Sequence, residues 1–199
     1  MKKIKSKIIL PLCMAILMCM SFMGCGTETV KGDKVANAFY NMFVKQDLSE
    51  IKEIGITDED GQKAIETYKD EIKSQTKLNF TKSSLTISDE DLNRIVNAEL
   101  DLFKKLSAEI TIESEDKDSC TVKVSTTYAD INTLDENAAN EAANEVLAMN
   151  LKSQKEINQK LVSTYIDKLV SAFENAEPST EKNEKTFTFK KKSLIVMEQ

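Results

Sequence analysis

The sequence predicts an α+β fold in which N-terminal helices precede an antiparallel β-hairpin, a long helix and C-terminal strands that complete a small curved antiparallel sheet. Apolar residues recur at helical spacing before residue 107 and again from about 134 to 175. Between and after these stretches they alternate with polar residues, as they do in half-buried strands. A chain of 199 residues fits one such domain.

The first two predicted helices lie close together in the sequence. Asp33 is a suitable N-cap for a helix whose apolar face includes Val35 and Phe43. A short second helix is expected over 47–54, and Gly55 ends it.

Two capping pairs predict where the next helices begin. Thr57 and Asp60 have the three-residue spacing of a capping box, and Ser88 and Asp91 repeat it. Each pair precedes apolar residues at helical spacing, so each is expected to open a helix.

The hairpin is predicted from a change of period. Apolar residues alternate over 108–112 and again over 120–128, and the polar segment 114–118 separates the two runs. Two alternating runs around a short polar turn are typical of an antiparallel hairpin with one face on a core. Cys120 lies on that face, and we expect it to be a buried core residue.

A long helical stretch follows over about 134–175. Thr133 and Glu136 form a capping-box pair at its start, and Pro178 lies just after its end. A single helix of this length would reach roughly 60 Å, so we expect a break near 150–153. A coiled-coil partner is the alternative explanation for the length.

The C-terminal segment contains two strand-like runs, 186–189 and 194–197, with three lysines at 190–192 between them. The apolar positions change parity between the runs. Either the runs pair as a hairpin through the lysine turn, or one strand carries a bulge.

The N-terminus indicates export. Four lysines lie within residues 1–7, and 8–23 is almost wholly apolar, which is the pattern of a signal peptide. This run of 16 residues falls short of the about 20 that cross a bilayer, so an uncleaved membrane helix is the less favoured alternative. The run ends at Gly24-Cys25, which resembles the lipobox of bacterial lipoproteins; a plain secretory signal is the other alternative.

The lipobox resemblance implies that the chain is cut before Cys25 and that the Cys25 thiol is diacylated. The expected boundaries are a signal peptide over 1–24, a lipidated cysteine and spacer over 25–32, and a single domain over 33–199. Cleavage removes 24 residues and four lysines, which leaves 175 residues and takes the net charge from −6 to −10. So acidic a chain is not expected to bind nucleic acid, or to adsorb to membranes by charge.

The order of elements and three segments, 36–47, 121–131 and 186–189, resemble small uncharacterised lipoproteins of Gram-positive bacteria. Their domain is likened to the nuclear-transport-factor or cystatin-like α+β fold. The resemblance implies a lipid anchor at Cys25 on the outer face of the cytoplasmic membrane. The family has no settled activity, so the resemblance implies no catalytic residue.

The residue types argue against most catalytic and metal sites. The chain has no histidine, which excludes Ser-His-Asp and Cys-His catalysis. Segment 58–61 resembles part of a calcium loop, but Ile56 and Thr67 stand where ligands are needed. Four acidic residues cluster at the predicted hairpin turn, and a solvated turn is favoured there over a weak cation site. They are Glu113, Glu115, Asp116 and Asp118.

These observations predict a non-catalytic binding or interaction module on the cell surface, without cofactor or metal and with a protein or a small ligand as partner. One alternative is a histidine-independent enzyme in which carboxylate and tyrosine groups line a cone-shaped pocket. The residues available for it are Tyr40, Tyr68, Tyr128, Asp130 and Tyr165. A second alternative is an accessory solute-binding lipoprotein.

Overall fold

Residues 30–117 and 119–190 are described by the computed structural model, and they fold as five α-helices and a three-stranded antiparallel sheet. This confirms the predicted α+β class and order of elements. The elements in chain order are α1 (Gly32–Tyr40), a π-helical turn (Asn41–Lys45), a 3-10 helix (Ile51–Ile54), α2 (Asp58–Lys82), α3 (Asp89–Lys104), β1 (Ala108–Glu115), β2 (Ser119–Thr127), α4 (Ile131–Ala148), α5 (Gln154–Asn175) and β3 (Lys182–Lys190).

The described backbone divides into two compact units. The helical unit comprises 66–106 and 129–179. The sheet unit comprises the described parts of 8–65, 107–128 and 180–199. Most of α2 belongs to the helical unit, and its first turns belong to the sheet unit. That 33–199 is a single domain stays a prediction.

The sheet has the order β1-β2-β3, and both neighbouring pairs are antiparallel. The predicted hairpin is β1 with β2. Cys120 pairs with Phe189, and Val122 with Phe187, and all four side chains are buried on one face. Cys120 is therefore a core residue, as predicted. The register shifts in β1 between Ile112 and Ser114, so this strand carries an irregularity that the alternating pattern did not predict.

The N-cap of helix α1 lies two residues earlier than predicted. Lys31 is the N-cap, and its side chain makes no capping hydrogen bond. Asp33 lies inside the first turn, where its negative charge interacts favourably with the positive end of the helix dipole. Gly32, the first residue of the helix, lies close against the sheet: a Cβ atom on it would overlap Sγ of Cys120, so only glycine allows this approach.

The caps of α2 and α3 are as predicted. Thr57 Oγ1 accepts a hydrogen bond from the Asp60 amide at 3.1 Å, and Ser88 Oγ accepts one from the Asp91 amide at 3.1 Å. The expected second helix is a 3-10 helix, which ends at Gly55 with φ 82°.

The long helical stretch is broken where expected. Helix α4 ends at Ala148, Asn150 has φ 51°, and Ser153 caps α5. The predicted capping box of Thr133 and Glu136 is wrong. Asp130 caps α4, because its carboxylate accepts hydrogen bonds from both the amide (3.1 Å) and the hydroxyl (2.8 Å) of Thr133.

The helical unit is held by apolar residues from all four of its helices. Helix α5 packs against both α3 and α4. Its main buried contributions are Ile72, Phe80, Leu92, Ile95, Val96, Leu102, Phe103, Ala138, Ala142, Val146, Ile166, Leu169 and Phe173. Among the described residues, no helix is both long and apolar enough to cross a membrane.

Candidate functional site

A groove of about 400 Å³ lies in the sheet unit. This volume is within the range of small-molecule sites, roughly 300–1,000 Å³. Its lining comes from α1, the 3-10 helix with the residue before it, and β1, and comprises Asp33, Lys34, Asn37, Glu50, Glu53, Ile54 and Ile110.

The carboxylate of Glu50 is the best-positioned group in the groove. Asn37 Nδ2 donates to Glu50 Oε2 at 2.8 Å, and Asn41 Nδ2 donates to the same oxygen at 3.0 Å. The two asparagines are four residues apart, at the end of α1 and the start of the π-helical turn, so they project from the same side of the backbone. Neutral amides thus fix this carboxylate in place without cancelling its charge.

The groove is net negative. Among the described residues that line it, three carry a carboxylate and one, Lys34, carries an ammonium group, which contacts Glu53 at 3.5 Å. Ile54 and Ile110 add apolar walls. Such a lining suits a small ligand with a cationic end and a short aliphatic body.

Three of the residues proposed for the histidine-independent enzyme make hydrogen bonds to residues outside that set. The carboxylate of Asp130 caps α4, and the hydrogen bonds from Thr133 lower the pKa of Asp130. Tyr128 donates to Glu181 Oε2 at 3.3 Å. Tyr165 donates to Asp135, so the acid paired with this tyrosine is Asp135 and not Asp130.

The other two tyrosines are packing residues. Tyr68 is buried in the helical unit. The ammonium nitrogen of Lys45 lies over the ring of Tyr40, 5.8 Å from the ring centre. Burial raises the pKa of Tyr40 to about 12.

The acidic segments considered as cation sites take part in local structure. Asp60 belongs to the α2 cap, and Gly61 packs against Ile51. Asp116 accepts hydrogen bonds from the amide and hydroxyl of Ser119, at 2.7 and 2.9 Å. Within 30–117 and 119–190, no three acidic or thiol side chains are grouped to hold a metal ion.

Several predicted features lie outside the described residues. They are the signal peptide 1–24, the lipidation site Cys25, Asp118, the lysines 191–192 and the strand-like run 194–197.

One buried acidic group was missed by the sequence reasoning. Glu99 on α3 is only 3% exposed, and its Oε1 atom has no hydrogen-bond partner. Burial, and secondarily the charge of Asp135 on α4, raise the pKa of Glu99 to about 7. The signal was present: Glu99 continues the apolar stripe of Ile95 and Phe103 at helical spacing.

Asp135 links Glu99 to a tyrosine. Besides facing Glu99, its carboxylate accepts the hydroxyl hydrogen bond of Tyr165 on α5. The Tyr165 ring packs against Phe80 of α2, with ring centres 5.7 Å apart. Burial, with Asp135, raises the pKa of Tyr165, so this hydroxyl stays a donor at neutral pH. Side chains from all four helices therefore meet at this cluster.

The comparisons with known proteins bear on the fold. The chain is similar to the crystal structure of YcdA, a candidate lipoprotein from Bacillus subtilis subsp. subtilis str. 168, with a TM-score of 0.61 and 16% sequence identity. The match covers 80% of this chain and 48% of YcdA, so the chain spans about half the length of that protein. No protein-family model and no curated protein matches the sequence, so nothing found supports the nuclear-transport-factor or cystatin-like resemblance. At this identity the likeness shows the fold alone.

Proposed function

We propose that the protein is a lipoprotein anchored through Cys25 to the outer face of the cytoplasmic membrane, where it acts as a non-catalytic binding module. Two observations support the anchor. The apolar N-terminal run ends at Gly24-Cys25, and the structural neighbour YcdA carries the description of a candidate lipoprotein. Two acyl chains on one cysteine suffice for stable membrane attachment.

The geometry of Glu50 carries the binding part of the proposal. Its carboxylate is held by Asn37 and Asn41 at the wall of an acidic groove, and no cation neutralises it among the hydrogen bonds and ion pairs of the described residues. A carboxylate fixed before binding loses little side-chain entropy when it meets a ligand. The ligand class that fits is a small amine with an aliphatic body.

The anchor is tested by the Cys25→Ala substitution. We expect the variant to leave the membrane fraction, because without the thiol no lipid can be attached. The matched control is Cys19→Ala, which changes a cysteine of the signal peptide and should stay with the membranes. Equal membrane association of Cys25→Ala and the unchanged chain would refute the anchor.

The groove is tested with two compounds that share a five-carbon chain, 1,5-diaminopentane and glutarate. We expect the diamine to raise the melting temperature and the dicarboxylate to leave it unchanged, because the groove is net negative. The Glu50→Gln variant should lose the shift, and Glu59→Gln, an exposed change on α2, should keep it. A diamine shift that persists in Glu50→Gln would contradict the assigned site, as would no shift at all.

A further inference from the structure

The cluster of Glu99, Asp135 and Tyr165 is built unlike the rest of the helical core. Each carboxylate comes from a different helix, and Glu99 Oε1 is buried without a hydrogen-bond partner. Burying an ionised carboxylate without a cation is costly, and such a group is stable only while it holds a proton. No cation contributes to the environment of Glu99 among the described residues.

The charged and titratable groups that face Glu99 further disfavour its ionised form. From α4 the facing group is Asp135, and its negative charge opposes a second negative charge on Glu99. From α5, Tyr165 is engaged with Asp135 and not with Glu99. The ion pair between Arg94 of α3 and Asp167 of α5, at 2.8 Å, lies at the exposed surface and is not a source of charge for the cluster.

We propose that Glu99, Asp135 and Tyr165 form a proton-operated switch in the helical unit. While Glu99 carries its proton, α3 packs against α5, which in turn packs against α4. Loss of the proton leaves two facing carboxylates, one of them buried, and α3 then opens so that water reaches Glu99. No additional co-reactant is needed, since the proton goes to solvent.

The raised pKa of Glu99, about 7, places the transition between mildly acidic and mildly alkaline solution. In that range an ordinary exposed glutamate is fully ionised and does not respond. The switch therefore responds to the change from mildly acidic to mildly alkaline solution, whereas the surface carboxylates do not.

The test is amide hydrogen exchange of the full chain at pH 5 and pH 8, with each rate divided by its intrinsic rate. We expect the opening equilibrium of α3 and α4 amides to rise by about 100-fold between the two values, because one proton is linked to opening. The Glu99→Gln variant cannot lose a proton there and should show the same opening at both pH values. Glu90→Gln, an exposed change on the same helix, should behave as the unchanged chain.

A second variant covers the case in which Glu99→Gln loosens the core at every pH. Asp135→Asn keeps Glu99 titratable but removes the facing charge, and we expect the rise between pH 5 and pH 8 to become smaller. The proposal is overturned if Glu99→Gln keeps the full pH-dependent rise. It is also overturned if millimolar magnesium or calcium restores protection at pH 8, since the cluster would then be a metal site.

Discussion

The Glu99→Leu variant is expected to gain about 3 kcal/mol of stability relative to the native chain as the pH is raised from 5 to 8. The pKa of Glu99 rises from 4.5 to about 7 on folding, so between these values the folded state binds a proton that the unfolded state has lost. The free energy of unfolding of the native chain therefore falls as the pH rises through this window, and it levels off above about 7. Leucine does not titrate, so this fall is absent in the variant.

The measurement is urea unfolding of both proteins at several pH values. The difference between the two proteins isolates Glu99, because the other ionisable groups are common to both. Asp130, whose pKa is lowered by its hydrogen bonds to Thr133, is ionised in both the folded and the unfolded state throughout this window. Glu90→Leu is the control for replacing an exposed charge on α3. A stability difference that does not change with pH would show that Glu99 is already ionised in the folded protein at pH 5.

The Gly61→Ala substitution is expected to lower the free energy of unfolding by about 2 kcal/mol. A Cβ atom at this position would overlap Cδ1 of Ile51 and come within 2.9 Å of Cδ2 of Leu48. The direction is diagnostic, because replacing a helical glycine by alanine ordinarily stabilises a helix by about 1 kcal/mol.

A double-mutant cycle separates this overlap from other effects. Ile51→Val removes the Cδ1 atom that the new methyl group meets, so Gly61→Ala should cost about 1 kcal/mol less in that background. Chemical denaturation of the four proteins gives the coupling. Equal costs of Gly61→Ala in both backgrounds would place the destabilisation elsewhere.

Local patterns in the sequence predicted most of the elements. A hydroxyl side chain and an acid three residues later determine a helix start by themselves, which is why Thr57 and Ser88 were identified correctly. Asp130 was missed because Thr133 offered a second local cap three residues later, and the two compete. The start of α1 was placed wrongly because its N-cap, Lys31, makes no side-chain hydrogen bond and so has no local signal.

The candidate sites depend on residues that only the fold brings together. Glu50 meets Asn37 through a turn of irregular helix, and no spacing rule covers that geometry. Glu99 is 36 positions from Asp135, and its partner could not be named before the helices were placed. The part that was visible beforehand was a glutamate at a core position of α3.

The proposal that the chain is a lipid-anchored surface protein is tested most directly by the mass of its mature N-terminus. Protein is extracted from membranes with detergent, digested, and the N-terminal peptide is measured by mass spectrometry. The account predicts a peptide that begins at Cys25 and carries a diacylglyceryl group on the thiol. A mature N-terminus at another residue, or an unmodified Cys25 thiol, would contradict it.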